Sequence, residues 1–281
     1  MMTLIEWIIE PLQYSFVLRA LLASMIVGMV CSVVGTYVIL RGMAFFGDAL
    51  AHTILPGVVI SFILGWPLAV GALIMGVLTA VGIGALSNQG LLKEDTAIGV
   101  IFAGAFALGV AILSATGNYT ADLTHFLFGN LLGVTQQDLI VTLLLGTLVL
   151  AAIALMYKEF LVISFDPVLA TTLRLPATFL RYSLLLIIAV TIVVSLQVVG
   201  ISLMMAMLVT PAAAASLLTN RMLPMMILSA VIGTISSVVG LYISFYLDIT
   251  SGPAIVLLAT VIFIIVFLFA PERGVAWRRR S

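Results

Sequence analysis

RGMAFFGDALAHTILPGVVISFILG, residues 41–65, decides how the chain is read. It is apolar for about the 20 residues that a bilayer-spanning helix needs. Yet it carries Asp48 and His52 inside the apolar run. The sequence around it repeats the apolar pattern. Of 281 residues, 64% are hydrophobic and 8% are charged, and the mean hydropathy is +1.36. A soluble globular domain is about 45–50% apolar and about 25% charged. Those values exclude a soluble enzyme, and they exclude a disordered chain. Eleven basic residues balance eleven acidic ones, which leaves no basic face for nucleic acid. There are also too few charges to coat a large water-exposed domain. The expected fold class is all-α, a polytopic helical membrane protein lying in the lipid bilayer.

Working outward from residues 41–65, nine apolar runs are long enough to span: 14–40, 43–64, 67–87, 96–115, 138–157, 179–197, 201–219, 224–246 and 253–270. Transmembrane strands would show short stretches of alternating polarity instead. The first run is too long for a signal-peptide core, and Glu6 and Glu10 precede it where basic residues would be needed. With about nine transmembrane helices, the N-terminus outside and the C-terminus inside, ten of the eleven basic residues fall on the inner side and only Arg19 does not. Reading 179–219 as one span would move Arg221 and Arg278 to Arg280 to the opposite side from Arg41 and Lys93, and the bias would largely vanish. The stretch is therefore split near Val199 and Gly200. The chain is read as a single transmembrane domain, 1–281, with two long connections: an extracytoplasmic segment at 116–137 and a cytoplasmic segment at 158–178.

An ionisable side chain inside a span costs about 2.5–3.5 kcal/mol on insertion scales, so each one is a functional candidate. Asp48 and His52 lie four residues apart, on one helix face and about 6 Å apart along the axis. Carboxylate plus imidazole suits manganese, iron or zinc. Two ligands leave a coordination shell incomplete, so waters, other helices or a second protomer must supply the rest. Two structural readings stand beside this one. Asp48 can cap a helix starting at Ala49, and His52 can simply hydrogen-bond to it. Pro56 removes a backbone hydrogen bond and is expected to kink the helix, a bend that suits a lined path and plain packing equally.

The other polar positions carry weaker signals. Asp122 and His125, at i and i+3 in the outer segment, form a speculative outer metal contact, but a polar pair on an interfacial helix needs no function. The run ISLMMAMLVTPAAAASLL (201–218) holds Met204, Met205 and Met207, which read as apolar filler. Ser202, Thr210 and Pro211 in the same run are candidates to line or gate a path. Cys31 reads as a small buried hydrophobe with no partner for a disulfide. Glycines and alanines crowd the third and fourth runs, where small faces let helices approach closely.

No P-loop, GxSxG, HExxH or CxxC signature occurs. No catalytic residue is assigned, and the chain is not expected to be an enzyme. A transporter subunit of this kind must be driven by an ion gradient or by a docked ATPase. The inner segment favours the ATPase. Asp166 is placed to cap a short helix with Pro167 at its first position, which gives a soluble partner something to grip.

Six stretches then carry a resemblance: RGMAFFGDALAHTILPG (41–57), KEDTAIGVIFAGAFALG (93–109), DLTHFLFGNLLGV (122–134), SFDPVLATTLRLP (164–176), VVGISLMMAMLVTPAAAASLL (198–218) and SGPAIVLLAT (251–260). In this order they resemble the permease subunits of ABC importers for manganese, zinc and iron. The resemblance implies a homodimeric, multi-pass permease in a prokaryotic cytoplasmic membrane. Its expected partners are cytoplasmic ABC ATPase subunits and an extracytoplasmic metal-binding protein. No cofactor is bound permanently, and the divalent metal is the transported substrate. Asp48 and His52 match the family's transit ligands. Ser164, Phe165, Asp166, Pro167, Ala170 and Arg174 fall in the segment that couples to the ATPase. Arg174 departs from the family, which usually has glycine there, and His125 stands where an aromatic is common. The alternative function is an ion-gradient-coupled secondary metal transporter or channel that needs no ATPase. The direction of transport comes only from the resemblance.

Overall fold

A computed structural model describes residues 9–88, 93–116 and 130–270. Its α-helices are α1 (Ser15–Leu40), α2 (Phe46–Thr53), α3 (Leu55–Leu64), α4 (Leu68–Asn88), α5 (Glu94–Thr116), α6 (Gln136–Leu155), α7 (Tyr157–Phe165), α8 (Pro167–Thr172), α9 (Ala177–Leu218), α10 (Met222–Leu247) and α11 (Ser251–Phe269). Among the described residues, eight helical stretches are long and apolar enough to cross a bilayer, with α2 and α3 counted as one. Nine runs thus become eight helices by continuity, because the runs 179–197 and 201–219 are joined in the 42-residue α9, which ends at Leu218. At about 1.5 Å per residue α9 has some 63 Å of helix, twice a bilayer core of about 30 Å. It is interrupted at Gly200, whose φ of 77° and ψ of 172° are non-helical. Only glycine adopts that conformation without strain. The break expected at Val199–Gly200 is therefore built into the backbone.

By contacts the chain falls into two compact units. One comprises 1–36, 128–147 and 198–281, and the other comprises 37–127 and 148–197.

In the first unit, small residues set the spacing of the helices. A Cβ on Gly35 would meet the carbonyl of Leu208, and one on Gly28 would meet the Ser237 hydroxyl and the Gly233 backbone. Pro211 lies inside α9 and has no N–H for the carbonyl four residues earlier. That carbonyl belongs to Met207, and the Ser32 hydroxyl donates to it at 3.3 Å. Such repair by a neighbouring hydroxyl is what lets a proline sit in a bilayer helix. Ser229 in turn donates to the Ser32 carbonyl at 2.7 Å. Met204 and Met207 are buried core residues, as filler should be.

In the second unit, α3 and α4 cross backbone to backbone. A Cβ on Gly57 would run into the Gly71 carbonyl, and one on Gly71 into the Gly57 carbonyl. Helices approach this closely only where both side chains are absent. Tyr37 and Phe160, both fully buried, meet edge to face at 6.0 Å.

Candidate functional site

Asp48 and His52 lie on α2, which is held between a turn and a proline. Gly42 takes a left-handed φ of 67° in the turn after α1, and the helix begins at Phe46 with Phe45 as N-cap. The structure corrects one expectation here. Asp48 is inside the first turn, not at its cap, and no side chain caps this end. Its carboxylate there still faces the positive end of the helix dipole. At the other end, Pro56 offers no N–H to the carbonyl of His52, and the helix is interrupted at Ile54 before α3 continues. Pro56 itself is buried.

His52 Nε2 and Asp48 Oδ1 are 3.7 Å apart, too far for a hydrogen bond. Two ligands about 2.1 Å from one ion at a tetrahedral angle stand roughly 3.4 Å apart, so a shift of a few tenths of an ångström lets both reach one cation. Both side chains are about a third exposed, 35% for His52 and 38% for Asp48. Among the described residues, no group of three His, Cys, Asp or Glu side chains comes together. The pair is partly open to the surface. Its imidazole is held by aromatics that the sequence reading did not single out. Phe102 and Phe106 of α5 meet the ring edge-on at 5.9 and 5.7 Å, and Phe45 packs on Phe102 at 6.0 Å.

The segment at 158–178 folds as α7 and α8. Asp166 caps α8, its Oδ1 accepting from the backbone of Val168 at 2.9 Å and of Leu169 at 3.0 Å, with Pro167 at the helix start. Arg174 has a left-handed φ of 56°. Its N–H donates to Thr171 at 3.0 Å, and the next N–H, of Leu175, donates to Ala170 at 3.0 Å. That pair of bonds is a Schellman ending, so the position where the family usually has glycine keeps the glycine conformation with arginine in it. Ala170 is fully buried, while Phe165, Val168, Leu169 and Leu173 are exposed.

Beneath this segment lies a cleft of about 530 Å³, lined by Arg41, Glu94, Ser164, Thr171, Thr178 and Arg181 among others. Glu94 Oε1 accepts from Arg41 Nη2 and from Arg181 Nε and Nη2, the latter two at 2.9 and 2.6 Å. Arg181 Nη1 donates to the Ser87 carbonyl at 3.3 Å. Burial pulls Arg41 below its ordinary range, Glu94 opposes that, and the neighbouring Arg181 adds to it. The sequence reading counted Arg41 and Arg181 only as orientation markers. What could have revealed the triad is that two basic residues and one acidic residue all sit at span ends on one predicted side.

The remaining candidates are scattered. Ser202 is exposed and lines a cavity of about 370 Å³ with Asn130, Thr250, Ser251 and Pro253. Thr210 is half-buried and Pro211 buried. Asp122 and His125 lie outside the described residues.

The model of the ABC 3 transport family matches residues 13–270. The chain belongs to the ABC 3 transport family. Among curated relatives of this ABC 3 member, the manganese transport system membrane protein MntC of Listeria monocytogenes is 46% identical over 269 residues, covering 96% of each chain. A probable iron transport system membrane protein of Haemophilus influenzae is 37% identical, covering 95% of this chain and 98% of its own. Among solved structures, PsaBC from Streptococcus pneumoniae, in complex with Fab, matches with a TM-score of 0.85 at 36% identity, covering 99% of this chain and 100% of that one. This ABC 3 protein is thus a multi-pass helical membrane permease of bacterial type.

Proposed function

We propose that the chain is the permease subunit of an ATP-driven importer of a divalent transition metal in the cytoplasmic membrane. Residues 1–281 act as one permease domain with no catalytic residue of its own. Manganese is the first candidate, because the relative at 46% identity is named for it. Iron follows from the second relative, and zinc shares the same ligand chemistry. The observation that carries the reading is the Asp48–His52 pair, 3.7 Å apart and open to one side, within a span of a metal-transport family.

One carboxylate and one imidazole do not satisfy a dication. A second copy related by a two-fold axis supplies another of each. The face of α5 beside His52 suits such a contact. Gly99 and Gly104 meet nothing within 4 Å, and Ala103 and Ala107 are exposed. Small residues of this kind let helices pack closely in lipid. Asp122 and His125 remain a candidate outer contact on this reading, and Ser202, Thr210 and Pro211 candidate path residues.

Energy enters through residues 164–176. Their exposed apolar side chains and the capped α8 fit a groove on an ATPase. An ion-gradient carrier has no use for such a surface. An extracytoplasmic binding protein delivers the cargo, and no cofactor is held permanently.

The test is metal accumulation, by elemental analysis, in cells lacking their own importer. Asp48→Asn keeps the shape but removes the charge, and His52→Ala removes the nitrogen. Each should abolish uptake with normal amounts of folded protein in the membrane. Uptake at wild-type rate in both variants sinks the ligand assignment.

A further inference from the structure

The cleft beneath α8 is not used by the metal path, and its chemistry is unfinished. Two guanidiniums share one carboxylate, so Arg41, Arg181 and Glu94 together carry a net +1. Arg41 is the most enclosed of the three, its side chain 9% exposed. Its Nη1 is buried with no hydrogen-bond partner, and so is the hydroxyl of Ser164. Both residues line the same cleft. An unpartnered guanidinium N–H and an unpartnered hydroxyl, both buried, are costly unless an acceptor arrives.

Position narrows the kind of acceptor. Arg41 directly follows the α1 span, Glu94 opens the α5 span and Arg181 lies in the second turn of α9. These are span ends, the level at which lipid headgroups lie. Lys93 and Asp95, beside Glu94 in the chain, are exposed, as are Asp166 and Arg174 on the segment above; each pair cancels and leaves the net sign unchanged. A volume of about 530 Å³ falls within the range of ligand pockets.

We propose that this cleft binds one phosphate group on Arg41, Arg181 and Ser164, carried by an anionic phospholipid headgroup or by free phosphate. One phosphate oxygen becomes the acceptor that Arg41 Nη1 lacks, and another accepts from Ser164 Oγ. Rotation of the two side chains brings both donors to it. The phosphate charge offsets the surplus guanidinium. Basic pockets at helix ends bind lipid headgroups by this chemistry.

The experiment uses the full chain in detergent, followed by native mass spectrometry and thermal shift. The probes are phosphatidylglycerol against phosphatidylcholine, and inorganic phosphate against chloride. Wild-type protein should be stabilised by at least one phosphate probe over its control. Arg41→Gln and Ser164→Ala should each bind about fivefold more weakly, and Glu94→Gln about fivefold more tightly. Ser164→Ala leaves the ion triad intact, so it stays informative if a charge variant folds poorly. Stabilisation by phosphatidylglycerol alone identifies the lipid as the source, and stabilisation by inorganic phosphate identifies the free ion. Equal behaviour of each probe and its control overturns the proposal. So does a probe affinity that is the same in wild type and all three variants.

Discussion

Replacing Glu94 by glutamine strands two cations. The amide keeps the shape and one acceptor oxygen, but it removes the negative charge that Arg41 and Arg181 share. The three side chains are 9–20% exposed. The loss should therefore lie at the lower end for a broken buried pair, about 3 kcal/mol. For a chain of this size that lowers the melting temperature by about 6–12 °C. Because the groups are mostly enclosed, high salt should recover little of it. A double-mutant cycle gives the sharper readout. Arg41→Gln added to Glu94→Gln removes a stranded cation, so the double variant should melt above Glu94→Gln alone. Scanning fluorimetry on purified protein measures all four corners. A Glu94→Gln melt within about 1 °C of wild type, or strictly additive losses in the double variant, refutes the view that these charges hold the helix ends together.

Three further outcomes are expected. Arg174→Gly removes the left-handed strain, about 1 kcal/mol, and amide exchange at Leu175 should slow about fivefold, whereas Arg174→Val should speed it. Ser32→Ala leaves the Met207 carbonyl unsatisfied and should cost about 1–3 kcal/mol in a thermal melt; adding Pro211→Ala restores a backbone donor for that carbonyl and should recover most of the loss. Phe165→Asp with Val168→Asp changes only exposed side chains, so the melt should hold while co-purification of the ATPase falls.

What the sequence made legible was what short-range physics determines. Span lengths follow from hydropathy, and the α9 break was visible because an unbroken reading would scatter the basic residues. The Asp166 cap could be read because a cap is a local contact, and Arg174 was marked as a glycine-type position. The rival reading of Asp48 as a cap fell because the left-handed turn is at Gly42 and Phe45 stands at the N-cap. The triad could not be found from spacing, since Arg41 and Arg181 are 53 and 87 residues from Glu94. Nor could the His52 cradle, because Phe102 and Phe106 in an apolar run read equally well as lipid-facing residues.

On the proposed reading, the Asp48–His52 pair on α2 sets the stoichiometry. A dication beside one carboxylate keeps a net charge of +1, and in a weakly screened environment a lone net charge is held at high cost. Two carboxylates make the bound state neutral, and two imidazoles raise the protein ligands to four without demanding a third acidic helix. On the proposed reading both copies must therefore be intact for one ion to pass. Co-expressing wild-type chain with Asp48→Asn at equal levels tests this. If dimers form at random and need both carboxylates, uptake should fall to about a quarter, whereas independent subunits would retain about half. Tagging the two versions differently and quantifying each in the membrane fixes the ratio. Uptake near one half, with mixed dimers demonstrably present, would show that a single Asp48 suffices and would return the missing ligands to water or to other side chains of the same chain.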